Sequence, residues 1–331
     1  MIYETEQPRR NQTIESFLNN CHLNFHDISQ KDNNSLFGVY VTALLINCLT
    51  SIFAVCDNGL VFVAMVRKTL QRPSNIFLCC LAASDFLTGL LSQPAYIACI
   101  VMAIKGSQFY CLTCLVVYLL GLFLSSVSFL SLTVINFDRY LSFRLPMRYN
   151  VLMTNNRARN LATFICFYSA LFLILPILGE DKLLERILSF AIFVSLAANF
   201  FICCGTFRII CKQQARIKAE IQLSHRLHQE SGLARFQVRR KTSMTAMWIS
   251  LFYYACYTPF LVVASISALS EKETMNLDLR VSWHFAFTIV LLNASVNPCT
   301  YCFRMKDIKL AVRKMLPNIL FQNNRIQELR R

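Results

Sequence analysis

The sequence predicts an all-α membrane protein: a seven-transmembrane helix bundle followed by a short amphipathic surface helix. Three observations carry this. Of the 331 residues, 55% are hydrophobic and only 15% are charged, too apolar a balance for a soluble chain of this length. Seven segments (36–66, 75–104, 110–137, 159–179, 186–210, 244–269 and 281–303) each hold about 20 or more mostly apolar residues, the length a bilayer core demands of a helix. The junctions 67–74, 138–159, 208–241 and 304–331 hold 25 of the 33 Lys and Arg. That asymmetry places them in the cytoplasm, with the N-terminus outside and the C-terminus inside a multi-pass plasma-membrane protein. The net charge of +15 therefore reports topology, and nucleic acid is excluded as a partner.

The chain divides into an extracellular tail (1–35), the bundle (36–303), the surface helix (304–316) and a cytoplasmic tail (317–331). The outer tail carries glycosylation sequons at Asn11 and Asn33. Its residues lack the apolar run of a cleavable signal, so the first span serves as the signal-anchor. Pro94, Pro176, Pro259 and Pro298 fall inside the second, fourth, sixth and seventh spans. Each frees a backbone carbonyl and permits a kink. After Tyr301, Ile308, Val312 and Met315 share one helical face and Lys306, Lys309, Arg313 and Lys314 occupy the rest. This helix lies on membrane lipids and stops at Pro317.

Polar groups inside spans are expensive and point to function. Asp138-Arg139-Tyr140 closes the third span. Asp138 can hold Arg139 in an ion pair until another group competes for the guanidinium, which stays charged in any environment. The bland alternative is a charged cap at the membrane face. Asp85 lies among Leu81, Ala82, Ala83 and Phe86 and must face the bundle interior. Ser128 lies eleven residues above Arg139, about 16 Å at ~1.5 Å per residue. Asn293 and Asn297 sit one turn apart on the seventh helix. Asp85, Ser128, Asn293 and Asn297 together offer an oxygen-rich pocket for a small cation with water; a hydrogen-bonded packing cluster without an ion is the alternative.

Taken together, Asn58, Leu81-Ala82-Ala83-Ser84-Asp85, Asp138-Arg139-Tyr140, Cys256 with Pro259, and Asn297-Pro298-Cys299-Thr300-Tyr301, in this order across seven spans, resemble a rhodopsin-like (class A) G-protein-coupled receptor. The loop from Arg144 to Thr154, with Pro146 at its start, looks most like adenosine receptors. The resemblance implies an extracellular ligand and a heterotrimeric G protein as partners. Arg139 would leave Asp138 on activation as helix six moves outward, Tyr301 would rotate inward, and Asp85, Ser128, Asn293 and Asn297 would be the family's sodium pocket. No other cofactor is implied.

Several positions depart from the family. Arg239, Arg240 and Lys241 stand where an acid on helix six usually binds the switch arginine. A like charge cannot hold Arg139, so the resting state is expected to be weakly held. Tyr257 replaces the toggle tryptophan, and Thr206 or Phe207 the helix-five tyrosine. Cys114 occupies the family's disulfide position, yet the loop between helices four and five carries no cysteine; Cys21, Cys99, Cys111 and Cys114 fall on or near the outer face, and Cys21 is a candidate partner for Cys111 or Cys114. Melanocortin and some lipid receptors are similar in that short loop.

Gly121 stands where amine receptors carry Asp, Leu291 where opsins carry the retinal lysine, and Ala264 where adenosine receptors hold the purine with Asn. By position the ligand pocket is lined by Tyr118, Gly121, Leu122, Ser125, Tyr257, Phe260, Leu261 and Phe287, with Trp283 close by. These apolar and aromatic residues with a few hydroxyls suit a small, uncharged or lipid-like ligand. A peptide on the open outer face, or plain aromatic core packing, are the alternatives. An enzyme is not expected: the chain has no His-Glu-x-x-His, no phosphate loop and no nucleophile–base pair. The rival functions are a transporter or channel, which would show internal repeats, and a receptor-like protein that does not couple.

Overall fold

In the computed structural model the described residues are 33–67, 73–171, 173, 181–223, 230–269 and 277–304. Asn11, Cys21, the surface helix and the C-terminal tail lie outside them. Every described element is a helix. They are α1 (Asn33–Arg67), α2 (Pro73–Leu87), α3 (Gln93–Ile104), α4 (Tyr110–Arg144), α5 (Tyr149–Leu152), α6 (Asn155–Leu171), α7 (Asp181–Leu223), α8 (Glu230–Leu269) and α9 (Leu277–Arg304). The expected spans map onto α1, α2 with α3, α4, α6, α7, α8 and α9. Six of these are long and apolar enough to cross a membrane. The fourth, α6, runs 17 residues and opens on Asn-Asn-Arg-Ala-Arg-Asn; most of the remaining expected span falls outside the described residues.

The helices close into a ring. α1 packs on α2 and α3, α2 and α3 on α4, α4 on α7, α7 on α8, α8 on α9, and α9 back on α1, with α6 against α2 and α4. Large apolar side chains such as Phe193, Phe201, Trp248 and Leu251 point outward and exposed, as lipid requires of a bundle whose backbone is satisfied internally. Polar residues point inward instead: Asn47, Asn58, Asp85, Gln93, Asn199 and Asn297 are each at most 1% exposed.

The second span is broken by more than a simple proline kink. Thr88–Ser92 form a π-helical turn directly before Pro94, and the Gln93 N–H bonds the Thr88 carbonyl five residues back. Continuing that pattern, Pro94 would donate to Gly89, but proline has no N–H. The Ser51 hydroxyl of α1 donates to the Gly89 carbonyl at 2.7 Å instead. Gln93 Nε2 donates to Thr50 Oγ1 at 2.8 Å beside it. Gly89 is required by this approach: a Cβ there would stand 2.7 Å from the Ala54 Cβ and 3.1 Å from the Ser51 carbonyl. The bulge thus docks the second span on α1 and sets the rotation of everything beyond it, including Tyr96 and Cys99.

The third span also differs from expectation. α4 continues past Asp138 to Arg144, so the charged triplet lies more than a turn inside the helix end. The stop is set by Pro146: its ring disfavours helical geometry at the preceding residue, and Leu145 sits at φ −129°, ψ 59°. The expectation that the fifth and sixth helices extend beyond their apolar runs holds for the helices themselves, since α7 reaches Leu223 and α8 begins at Glu230.

Candidate functional site

At the inner end of the bundle, Asp138 is fully buried. Its Oδ2 accepts from Arg139 Nη2 at 2.6 Å. Its Oδ1 accepts from the Tyr149 hydroxyl at 2.7 Å. Tyr149 opens α5, the single turn after the Pro146 break, and that short connection is what carries it back beneath α4. Sequence reasoning saw Tyr149 only as part of a loop, because the Pro146 break between it and Asp138 removes helical periodicity as a guide. Tyr140 faces α7, where a Cβ on Gly205 would meet its ring at 3.2 Å. Pro146 is exposed in the break. Pro298 and Tyr301 lie within the α9 backbone, and their side chains fall outside the described residues.

About three turns further into the bundle, Asp85 is 1% exposed. Ser128 Oγ donates to its Oδ1 at 2.8 Å and Asn297 Nδ2 to its Oδ2 at 2.7 Å. Asn293 is buried as well, and its Oδ1 has no hydrogen-bond partner among the described residues. Three of the four sequence-derived residues are therefore joined directly, and the fourth presents an orphan acceptor. A carboxylate, a hydroxyl and an unsatisfied amide oxygen are hard oxygen donors suited to a small hard cation. Asn58, also buried, ties α1 to α9 by donating to the Ala294 carbonyl at 2.8 Å.

Towards the outer end, the aromatic residues converge. Phe287 lies over Gly121, whose Cβ would meet its ring at 3.3 Å. Its ring centroid is 6.2 Å from Phe260 and 5.0 Å from Trp283, stacked. Tyr257 stacks on Tyr253 at 4.6 Å, and Ser125 is half-buried on α4. Tyr118, Leu122 and Leu261 are half-buried on the same helices. The missing bulk at Gly121 is thus occupied by Phe287. Three residues the sequence did not single out complete this end. The Tyr96 hydroxyl meets His284 Nδ1 at 2.8 Å, and Tyr40 packs edge-on against the His284 ring at 4.9 Å.

The disulfide expectation is corrected for Cys114, which bonds Cys99. The Thr88–Ser92 bulge and its docking on α1 present Cys99 at the outer end of α3, with a Cα–Cα separation of 5.6 Å from Cys114. A bridge between α3 and α4 needs nothing from the short loop. Cys111 is also disulfide-bonded; the candidate partner Cys21 lies outside the described residues.

A further polar cluster was not anticipated. Asn136, Asn199 and Ser250, from α4, α7 and α8, are each buried to 2% or less. Asn136 Nδ2 donates to Ser250 Oγ at 2.6 Å and to Asn199 Oδ1 at 3.1 Å. Asn199 and Ser250 are single polar residues in apolar runs and Asn136 stands just before the charged triplet; only the packing shows that the three meet.

Residues 57–301 match the family model described as 7 transmembrane receptor (rhodopsin family). Adenosine receptor A2b of Gallus gallus is 25% identical over 314 residues, covering 84% of this chain and 89% of that protein. Its Homo sapiens counterpart is 25% identical over 314 residues, covering 81% and 87%, and that of Mus musculus 25% over 304 residues, covering 80% and 86%.

Proposed function

Because the chain belongs to the rhodopsin family of seven-transmembrane receptors, we propose that it binds an extracellular ligand and activates a heterotrimeric G protein through Asp138, Arg139 and Tyr140. It is a multi-pass membrane protein of a family of signalling receptors, not of enzymes. The observation that carries the coupling reading is the buried Asp138, held by Arg139 on one oxygen and by Tyr149 on the other. A guanidinium kept half-buried beside a neutralising acid is a group that a partner's backbone or side chains can claim once the acid lets go. The excess of Lys and Arg at this end supports a cytoplasmic orientation, with the N-terminus outside.

In this reading Asp85, Ser128, Asn293 and Asn297 hold a sodium ion, which supplies positive charge to a carboxylate deep in hydrocarbon. Asn293 Oδ1, orphaned in the core, supports this use. These four residues would hold the ion, and its effect on the resting and active states would follow from how differently they present those oxygens in each. The outer pocket of Tyr118, Gly121, Leu122, Ser125, Tyr257, Phe260, Leu261 and Phe287 takes a small, lipid-like molecule. The relatives are named for adenosine, but Ala264 lacks the amide that would hold a purine, so adenosine is not the expected ligand.

The test is guanine-nucleotide exchange on a panel of purified heterotrimers by the full chain in lipid nanodiscs, without ligand, with adenosine, and with a panel of fatty acids and lysolipids. Exchange above that of empty discs, abolished by Arg139→Ala at equal receptor content, supports the reading. Exchange that Arg139→Ala leaves unchanged would remove Arg139 from the mechanism.

A further inference from the structure

We propose that Asn136, Asn199 and Ser250 form a buried amide–hydroxyl latch that holds α8 against α4 and α7, setting the resting state in place of an ion pair. The proposal rests on the coupling reading above and concerns its regulation.

The hydrogen-bond directions fix the arrangement. Ser250 Oγ donates to the Ala246 carbonyl of its own helix at 3.0 Å, so towards Asn136 it is the acceptor. Both hydrogens on Asn136 Nδ2 are then used across helix boundaries, one to α8 and one to α7. Asn199 returns its own Nδ2 to Thr133 Oγ1 of α4 at 3.0 Å. Its Oδ1 also takes the Cys203 thiol at 3.4 Å. Two amides and two hydroxyls thus join three helices in an apolar interior, where water cannot substitute and a parted group costs its full desolvation.

Position gives the cluster its meaning. Asn136 lies one turn before Arg139 on α4. An outward swing of the inner end of α8 about Pro259, opening a cavity beside Arg139 between α4, α7 and α8, parts Ser250 from Asn136. No charge does this work. The single acid in α8 is Glu230 at its first residue, and Arg240 and Lys241 stand at its inner part with the same sign as Arg139. Repulsion there pushes α8 outward; the latch opposes it nine residues further in, below Pro259. The lock that the charges fail to supply is replaced by neutral hydrogen bonds, which removes the reason to expect a weakly held resting state. The two arrangements, latched and parted, are the discrete states that coupling between sites requires.

The test measures opening and coupling separately. Spin labels on p-acetylphenylalanine introduced at the exposed positions Arg144 and Lys241 escape the fifteen native cysteines. Pulsed dipolar spectroscopy in nanodiscs then gives the α4–α8 distance distribution with no G protein present. Ser250→Ala and Asn136→Leu are expected to raise the ratio of long to short distances roughly 2- to 10-fold, the range for losing one hydrogen bond. The double variant should exceed neither by the full product, since both break the same bond. Ser250→Thr, which keeps the hydroxyl, should restore the wild-type distribution. Ser126→Ala, whose hydroxyl among the described residues bonds only the Phe123 carbonyl of its own helix, should match wild type throughout. Opening without any nucleotide exchange would sustain the latch and refute the coupling reading. Unchanged distances in folded Ser250→Ala and Asn136→Leu would overturn the latch, whatever Arg139→Ala does to exchange.

Discussion

Tyr149→Phe removes one oxygen and nothing else from the switch. In the structure that oxygen donates to Asp138 Oδ1 at 2.7 Å while Arg139 holds Oδ2 at 2.6 Å. A hydrogen bond to a charged group is worth roughly 1.5–3 kcal/mol. Asp138 has no exposed side-chain surface, so water does not replace the lost donor, but Arg139 still neutralises the carboxylate through Oδ2. The lower end of the range therefore applies, about 1.5 kcal/mol. At ~1.4 kcal/mol per factor of ten, the balance between held and released Arg139 shifts by about tenfold. Ligand-free nucleotide exchange by receptor in nanodiscs should rise accordingly, up to the ceiling set by full activation. Asp138→Asn in the Tyr149→Phe background should add less than it does alone, because the two changes remove one shared interaction. Basal exchange within about twofold of wild type, with an unchanged melting temperature, would refute the idea that Tyr149 restrains the switch; a lower melting temperature with unchanged exchange would show a bond present equally in both states.

Further expectations follow from particular contacts. Gly89→Ala should lower the melting temperature, because its Cβ collides with Ala54 and with the Ser51 carbonyl and overpacking of this kind costs ~1–3 kcal/mol; Ala54→Gly should restore part of the loss, and no rescue would contradict the close approach of the second span to α1. Exchanging sodium for choline at constant ionic strength should lower the melting temperature of the wild type but not of Asp85→Asn, and an equal response in both would remove the cation from the pocket. Cys99→Ser, Cys114→Ser and the double change should lower stability equally, since each breaks the same bridge; peptide mapping that pairs Cys114 with Cys21 would overturn the assignment.

Much of the architecture was legible because hydrocarbon imposes a simple rule. Runs of about 20 apolar residues and the distribution of Lys and Arg were enough to count spans and order them. Asp85, Ser128, Asn293 and Asn297 were legible for the same reason: a carboxylate in an apolar helix must find oxygen and nitrogen at its own depth. The latch was not legible, because Asn136, Asn199 and Ser250 are neutral and cheap enough to occur singly, and their meeting depends on the rotation of three helices. Tyr149 escaped notice because it approaches Asp138 through a turn, where periodicity says nothing. The Cys99–Cys114 bridge was missed because the π-helical turn at Thr88–Ser92 rotates α3 by an amount that the single Pro94 does not reveal. Local sequence fixes which residues must be inside; it does not fix the helix rotations that decide which of them touch.

The central claim is that this chain passes a signal to a G protein through Arg139. The most direct measurement is nucleotide exchange by the latch-broken Ser250→Ala chain, with and without Arg139→Ala, across heterotrimer subtypes at equal receptor content. The account predicts exchange above wild type from Ser250→Ala with at least one subtype, falling to the level of empty discs when Arg139 is replaced. Exchange that persists without Arg139, or none from Ser250→Ala with any heterotrimer while its helices are parted, would contradict it.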